Sequence, residues 1–259
     1  MRHTKDLFCL DGRVAIVTGG RGLYGHSISL GLCEMGATVV IASRNGEKCE
    51  EYAAQLREQG YDAIGMSLNL NDDDSIKMLV KDVYDKYGKI DILVNNAVDR
   101  SNKVSLADAT REKLQASYNT NVNGQILISQ AVLEYMIPAG KGNIINISSI
   151  RGLDSPHFPY YEAEQAITYT NEKWAMVGMT KYMACRYGKD GIRVNCIAPG
   201  GYNPSQSNTD FWKNYVDNCP LHCWANEDDI KGPVAFLASD ASGYVTGATL
   251  VMDGGWTVW

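Results

Sequence analysis

Short apolar runs alternate with longer stretches of helical period along almost the whole chain. Val14-Ala-Ile-Val-Thr-Gly19 is an apolar run ending in glycine, the pattern of a strand buried on both faces. Glycines follow at 20, 22 and 25; Ile28, Leu30, Leu32 and Met35 then fall at helical spacing, and Gly36 closes that helix before a second run, Ala37-Thr-Val-Val-Ile-Ala42. Strand, glycine turn, helix and strand make one βαβ unit. The unit repeats, with helices predicted over 48–59, 74–87, 125–136, 174–187 and 228–238 and strands over 63–68, 90–94, 143–147, 192–197 and 248–252. Regular alternation of this kind predicts an α/β fold, a three-layer doubly wound parallel sheet with helices on both faces. No linker composition interrupts the 259 residues, so a single domain over 1–259 is expected. Ligands of such sheets bind beyond the carboxyl ends of the strands, where the glycine-rich and polar residues of this chain fall.

Composition narrows the classes. Hydrophobic residues make up 45% and charged residues 21%, an ordinary balance for a water-soluble chain. The net charge is -6 and the Lys and Arg residues are scattered, which argues against a nucleic-acid surface. No apolar run reaches membrane-spanning length, and residues 1–10 lack the apolar centre of a secretory leader, so a cytoplasmic protein without membrane partners is expected. Seven dispersed cysteines suit reduced thiols better than a disulfide framework. Cys219-Pro-Leu-His-Cys223 offers three metal ligands, but no second cluster completes a zinc site and no metal is expected.

Candidate chemistry follows from three places. The glycine turn after the first strand lets backbone approach a pyrophosphate, and the helix behind it offers free N–H groups to the negative charge; Gly19, Arg21, Tyr24 and Gly25 are the candidates there. After the second strand, an acidic residue would hold ribose hydroxyls, but Ser43-Arg44 stands instead, and an arginine fork matches a 2′-phosphate or stacks on adenine. That places NADP(H) ahead of NAD(H). Third, Tyr169 and Lys173 are four positions apart in a helical stretch and share a face, where an ammonium would stabilise the phenolate.

These residues match a family. Thr18-Gly19-Gly20 with Gly25, Asn95-Asn96-Ala97, Asn121, Ile147-Ser148-Ser149 and Tyr169-x-x-x-Lys173 stand in one order, followed by Ile192-Arg-Val-Asn195, Pro199-Gly200, Phe236-Leu-Ala-Ser-Asp240, Gly247 and Asp253-Gly254-Gly255. The chain resembles the short-chain dehydrogenase/reductase family in its single-domain, Rossmann-type form. The resemblance implies hydride transfer between a nicotinamide and a carbonyl or alcohol carbon. It gives Tyr169 the role of acid and base, and Lys173 that of lowering the Tyr169 pKa while holding the nicotinamide ribose. Ser149 would bond the substrate oxygen, and Asn121 would hold the water that links Lys173 to solvent. Asn95, Asn96 and Ala97 would lie along the cofactor, Asn69 and Leu70 at its adenine end, and Pro199 and Gly200 at the nicotinamide. Family members usually assemble as dimers or dimers of dimers, so a homotetramer or homodimer is implied; the apolar end Gly255-Trp-Thr-Val-Trp259 suits burial against another subunit, with folding over its own core as the alternative.

The chain also departs from the family pattern. Leu23 stands where the middle glycine of the turn belongs, and Asn69 where the family often has Asp. Ser149 and Tyr169 are 20 positions apart, a longer interval than usual, and the added residues fall within an aromatic loop over 151–165 that includes His157, Phe158, Tyr160 and Tyr161. This loop is either a substrate wall or a subunit contact. Pro204 replaces a threonine that bonds the carboxamide, and the segment 201–227 matches the variable substrate lid, with Trp212, Tyr215, His222 and Trp224 as wall residues. The Ile41-Ala-Ser-Arg-Asn45 segment and the length look like the gluconate 5-dehydrogenase-like branch. Polar groups near the expected pocket (Asp99, Arg100, Asn102, Arg151, Asp154, His157, Asn203 and Asn208) favour a small sugar, sugar acid or polyol, with Arg151, Asp154, Asn203 and Trp212 as the leading substrate residues. Two alternatives stand beside it: an apolar ketone such as a steroid or 3-oxoacyl thioester, and a non-catalytic dinucleotide-binding protein.

Overall fold

The computed structural model describes residues 1–158, 165–205 and 209–259. Tyr160, Tyr161 and Asn208 therefore lie outside the described residues. Seven strands, β1 (Val14–Thr18), β2 (Thr38–Ser43), β3 (Ala63–Ser67), β4 (Ile92–Asn95), β5 (Gly142–Ile147), β6 (Ile192–Pro199) and β7 (Thr249–Met252), form one sheet in the order β3-β2-β1-β4-β5-β6-β7. Every adjacent pair is parallel. The helices are α1 (Thr4–Phe8), α2 (Leu23–Glu34), α3 (Gly46–Glu58), α4 (Asp73–Tyr87), α5 (Arg111–Tyr118), α6 (Gly124–Met136), α7 (Ile167–Tyr187), α8 (Asp210–Asp217) and α9 (Lys231–Ala238).

Alternation along β1 shows why the sheet is covered twice. Ala15 and Val17 join one core with Ile28 and Leu32 of α2, Leu56 of α3 and Val234 of α9. Val14 and Ile16 point the other way, into a core with Leu79 of α4, Ile128 of α6 and Met183 of α7. All five residues of β1 are buried, as the unbroken apolar run requires. The chain leaves β1 for β2 on one side, and β4 sits on the other, so a crevice opens where the carboxyl ends of β1 and β4 diverge.

The expected strands and the main helices are in place, with the last helix beginning later, at Lys231. Apolar periodicity had given no sign of α1, α5 or α8. In α5 only Ser117 is buried, so it carries no apolar stripe. It runs into a π-helical turn, Asn119–Asn123, before α6 begins. Helix α7 is the longest, at 21 residues, and buries Glu172 and Lys173 near its start beside Met176, Thr180, Met183 and Ala184 further on. Two aromatics of α7, Trp174 and Tyr182, and one aliphatic side chain of α6, Ile126, stand exposed. Among the described residues no helix is long and apolar enough to cross a membrane.

The carboxyl-terminal segment divides between its own chain and an exposed tip. Trp256 is buried in its own chain, in a cluster with Ile150, Tyr215 and Cys219, and its ring stacks on Tyr215 at 4.4 Å with 4° between planes. Only Val258 and Trp259 remain well exposed, at 74% and 79%. Because Trp256 fills a packed cluster, Trp256→Ala should lower unfolding free energy by about 3 kcal/mol in a denaturant titration; a loss under about 0.5 kcal/mol would mean the tail is a surface feature.

Candidate active site

The glycine turn is tied to the neighbouring strand end by backbone and side chain together. Gly19 has φ 62°, a conformation that favours glycine, and a Cβ on Gly25 would lie 2.0 Å from the Gly19 carbonyl oxygen. Thr18 Oγ1 donates to the Val94 carbonyl at 3.2 Å and accepts from the Asn96 and Ala97 N–H groups, both at 3.0 Å. Asn96 Nδ2 reaches back to the carbonyls of Thr18 and Gly19 at 3.1 and 3.0 Å. Asn95 does not face the crevice: it is buried and donates to Ser129 Oγ and Asn146 Oδ1. Helix α2 starts at Leu23 without a side-chain cap, which leaves its first-turn N–H groups to an anion. Leu23, at the position of a family glycine, is 49% exposed and lines the crevice instead of pressing on backbone.

Two cavities occupy the crevice. The larger, about 620 Å³, is lined by Gly19, Tyr24, Asn96, Ala97, Pro199 and Gly200, and further in by Ser149, Tyr169, Lys173 and Trp212. The smaller, about 140 Å³, shares Gly19 and Ala97 with it and extends to Ser43, Arg44, Asn69 and Leu70. The Tyr24 hydroxyl is buried with no hydrogen-bond partner among the described residues, an orphaned polar group on the wall of the larger cavity. Burial pushes its pKa well above the ordinary tyrosine range, with Tyr215 and Asp229 adding to the effect. Arg44 is 72% exposed along its side chain and pairs with Asp99 at 3.4 Å across the smaller cavity. Uncapped amides, a cradle that a Cβ would fill, an orphaned hydroxyl and an arginine at the far end together fit an extended dinucleotide. Arg21 is the exception among the candidates: it sits exposed at the tip of the turn and lines neither cavity.

At the other end the polar groups converge on Tyr169. Lys173 is buried and donates to the Ile147 carbonyl at 2.9 Å, while Ser148 Oγ donates to the Lys173 carbonyl at 2.7 Å, so the end of β5 grips α7 at this turn. The Lys173 ammonium lies 5.7 Å from the Tyr169 ring centroid, and the Arg100 guanidinium carbon is also at 5.7 Å. Burial opposes ionisation of Tyr169. Lys173, a hydrogen bond with Ser149, and the charges of Arg100 and Lys103 outweigh it and lower the pKa below the ordinary 10.0. Asn121 sits in the π-helical turn, where its side chain accepts from the Asp99 N–H at 2.7 Å and donates to the Asp99 carbonyl at 2.8 Å and to Glu172 Oε2 at 3.0 Å.

A third cavity of about 460 Å³ meets the larger one at Arg100 and Tyr169, which line both. Lys103, Arg151 and Asp108 line it too, giving three cationic side chains to one carboxylate. Arg151 is buried and donates to the Ser155 carbonyl at 2.7 Å.

The other substrate candidates fall less centrally. Asp154 is exposed and spends Oδ1 on the Ser155 N–H at 2.7 Å, lining none of these three cavities. Asn203 is buried and accepts from Ser205 Oγ at 3.1 Å, so these two polar residues flanking Pro204 bond each other. Trp212 lines the larger cavity, with Trp224 packed edge-on against it at 6.1 Å between centroids, whereas His222 is exposed. Sequence reasoning missed Lys103, Gln125 and Glu172. Lys103 stands three positions after Arg100, a signal that was there to be read; the other two gave none beyond being polar residues in helical stretches.

A family model described as enoyl-(acyl carrier protein) reductase matches residues 22–257. Gluconate 5-dehydrogenase of Gluconobacter oxydans is 32% identical over 265 residues, covering 100% of this chain and 99% of that protein. A 7alpha-hydroxysteroid dehydrogenase of Bacteroides fragilis is 30% identical over 254 residues, covering 96% of this chain and 95% of that one. Among solved structures, a gluconate 5-dehydrogenase from Burkholderia cenocepacia J2315 in complex with NADP and tartrate superposes with a TM-score of 0.90 at 32% identity, covering 99% of this chain and 100% of the other.

Proposed function

The chain belongs to the short-chain dehydrogenase/reductase family and is an NAD(P)-dependent oxidoreductase; from that premise we propose that it prefers NADP(H) and interconverts a secondary hydroxyl and a ketone on a sugar acid. The observation that carries the substrate class is the cationic cavity. Arg100, Lys103 and Arg151 line the space beside Tyr169, where a substrate carboxylate would sit as its reacting oxygen meets the phenol. Two relatives named above act, by their names, on gluconate, and one was solved with tartrate, a small hydroxy-acid. The NADP(H) preference rests on Arg44, on the lack of an acidic residue after β2, and on the NADP held by the Burkholderia relative.

In this reading, the first-turn amides of α2 and the Tyr24 hydroxyl hold the dinucleotide phosphates, Arg44 exchanges Asp99 for the 2′-phosphate, and Ala97, Asn96, Pro199 and Gly200 wall the nicotinamide half. Asn69 and Leu70 border the adenine. The bound nicotinamide supplies or takes the hydride. Tyr169 moves the proton, as base toward an alcohol and as acid toward a ketone, with Lys173 holding its phenolate form within reach. Ser149 donates to the substrate oxygen, whose negative charge is greatest in the transition state, so a fixed donor acts most strongly there. Trp212 and its neighbours in 201–227 close over the pocket and exclude water. The exposed side chains Ile126, Trp174 and Tyr182 on α6 and α7 offer the face for a dimer or tetramer.

The test is a panel of six-carbon aldonates, neutral polyols of equal length and hydroxysteroids, each assayed with NADP⁺ and NAD⁺. Aldonates with NADP⁺ should give the highest kcat/KM, and a combined Arg100→Ala and Lys103→Ala variant should raise KM for the aldonate by about tenfold or more, as loss of one charge-assisted contact implies, while leaving KM for the polyol nearly unchanged. A preference for steroids or neutral polyols by a factor of about a hundred would transfer the assignment to those substrates.

A further inference from the structure

Directly behind Lys173 the chain places a carboxylate that the mechanism above does not use. Glu172 is buried, at 3% exposure, and each of its oxygens receives one donor: Ser117 Oγ reaches Oε1 at 2.5 Å and Asn121 Nδ2 reaches Oε2 at 3.0 Å. An ionised carboxylate oxygen accepts about two hydrogen bonds, so each retains capacity for another. A separate small cavity of about 10 Å³ is lined by Glu172, Lys173, Asn121 and Gln125. That is about the space of one water. Gln125 is 1% exposed; its Nε2 donates to the Ala97 carbonyl at 2.7 Å, while its Oε1 has no partner among the described residues. A buried acceptor left over, a carboxylate and an ammonium around a one-water space make a built site for a bridging water.

We propose that Glu172 is a proton acceptor of the catalytic relay, exchanging a proton with Lys173 through a water in this cavity. The proposal rests on the hydride-transfer reading of the Tyr169 site. When an alcohol is oxidised, the Tyr169 phenolate takes the hydroxyl proton as the hydride leaves the carbinol carbon for the nicotinamide. The Tyr169–Lys173 pair then holds one proton more than at the start. Lys173 passes an N–H proton through the water to a Glu172 oxygen, forming a carboxylic acid, and the phenol proton refills the ammonium. Phenolate and ammonium are restored, with the substrate proton on Glu172, which discharges it when the cleft reopens to solvent. Ketone reduction runs the same steps backward.

The surroundings suit a group that changes protonation. The charged groups facing Glu172 are Lys173 on its own helix and Asp99 on the loop after β4; Ser117 and Asn121, from α5 and the π-helical turn, hydrogen-bond without titrating. Burial raises the Glu172 carboxyl above its ordinary value and Asp99 adds to this, against the two hydrogen bonds and Lys173, which pull it down. A carboxyl raised in this way accepts a proton nearer neutral pH than an exposed one would.

Two measurements test the assignment. In the first, Glu172→Gln keeps the shape and removes the titration, while Glu172→Asp keeps a carboxylate. Steady-state oxidation by Glu172→Gln should fall at least about tenfold with KM within about a factor of two, its first turnover should be unchanged in stopped flow, and its kcat–pH profile should lose one ionisation; Glu172→Asp should regain that ionisation. Wild-type turnover and pH profile in Glu172→Gln, or equal loss of the first turnover and of cofactor binding, would assign Glu172 a structural role. The second needs no substrate: carbon-13 NMR titration of the Glu172 carboxyl should give a midpoint above 4.5 in the wild type and a further rise in Lys173→Met, which removes the ammonium. A midpoint indifferent to Lys173 would overturn the coupling. A wrong substrate class would surface in the aldonate panel and leave this titration untouched, so the two failures can be told apart.

Discussion

A buried ammonium facing a phenol is the constraint on which the rest of the structure depends. Taking a lysine charge out of water costs several kcal/mol unless neighbouring groups compensate. Here the Ile147 carbonyl accepts one N–H, and the Tyr169 ring lies close by. Holding that arrangement needs the end of β5 against the start of α7, which Ser148 supplies by bonding the Lys173 carbonyl. It also needs α7 to be long and well anchored, and its buried residues from Met176 to Ala184 pack it onto the sheet away from the site. The sheet in turn brings Ser149 and the glycine turn to the same edge, because parallel strands all end on one side.

Electrostatics in this molecule are local. The chain carries a net charge of -6, yet Arg100, Lys103 and Arg151 gather around one cavity beside Tyr169. At physiological salt, charges beyond about 8 Å are largely screened, so a substrate in that cavity is governed by its three cations far more than by the acidic surface. Two of these cations, Arg100 and Lys103, assist Lys173 in stabilising the Tyr169 phenolate. One cluster can therefore both recognise an anion and tune the base, which links substrate charge to reactivity.

What could be read in advance follows from what local sequence encodes. Buried parallel strands leave unbroken apolar runs, so β1 and β2 were plain; a helix encodes its own face, so Tyr169 and Lys173 could be paired by spacing alone. Contacts between distant segments leave no such trace. Nothing in the spacing shows that Asn121 lies in a π-helical turn, or that Glu172 meets Ser117 and Asn121 from two other elements. Arg21 and Asp154 are the right residue types in the right segments, but the turn tip and the loop direct them to solvent. Of the two readings of the apolar tail, folding over its own core holds for Trp256, whose stacking partner Tyr215 lies in the lid segment of the same chain.

The account stands on Lys173 and its neighbours lowering the Tyr169 pKa, and an ultraviolet difference titration reads that directly. The absorbance of the wild type minus that of Tyr169→Phe isolates one phenol among fifteen tyrosines. The account predicts that this phenol ionises below the ordinary value of 10.0 and that its midpoint climbs above it in Lys173→Met, where burial acts with less opposition. A wild-type midpoint at or above 10.0, unmoved by loss of Lys173, would contradict it.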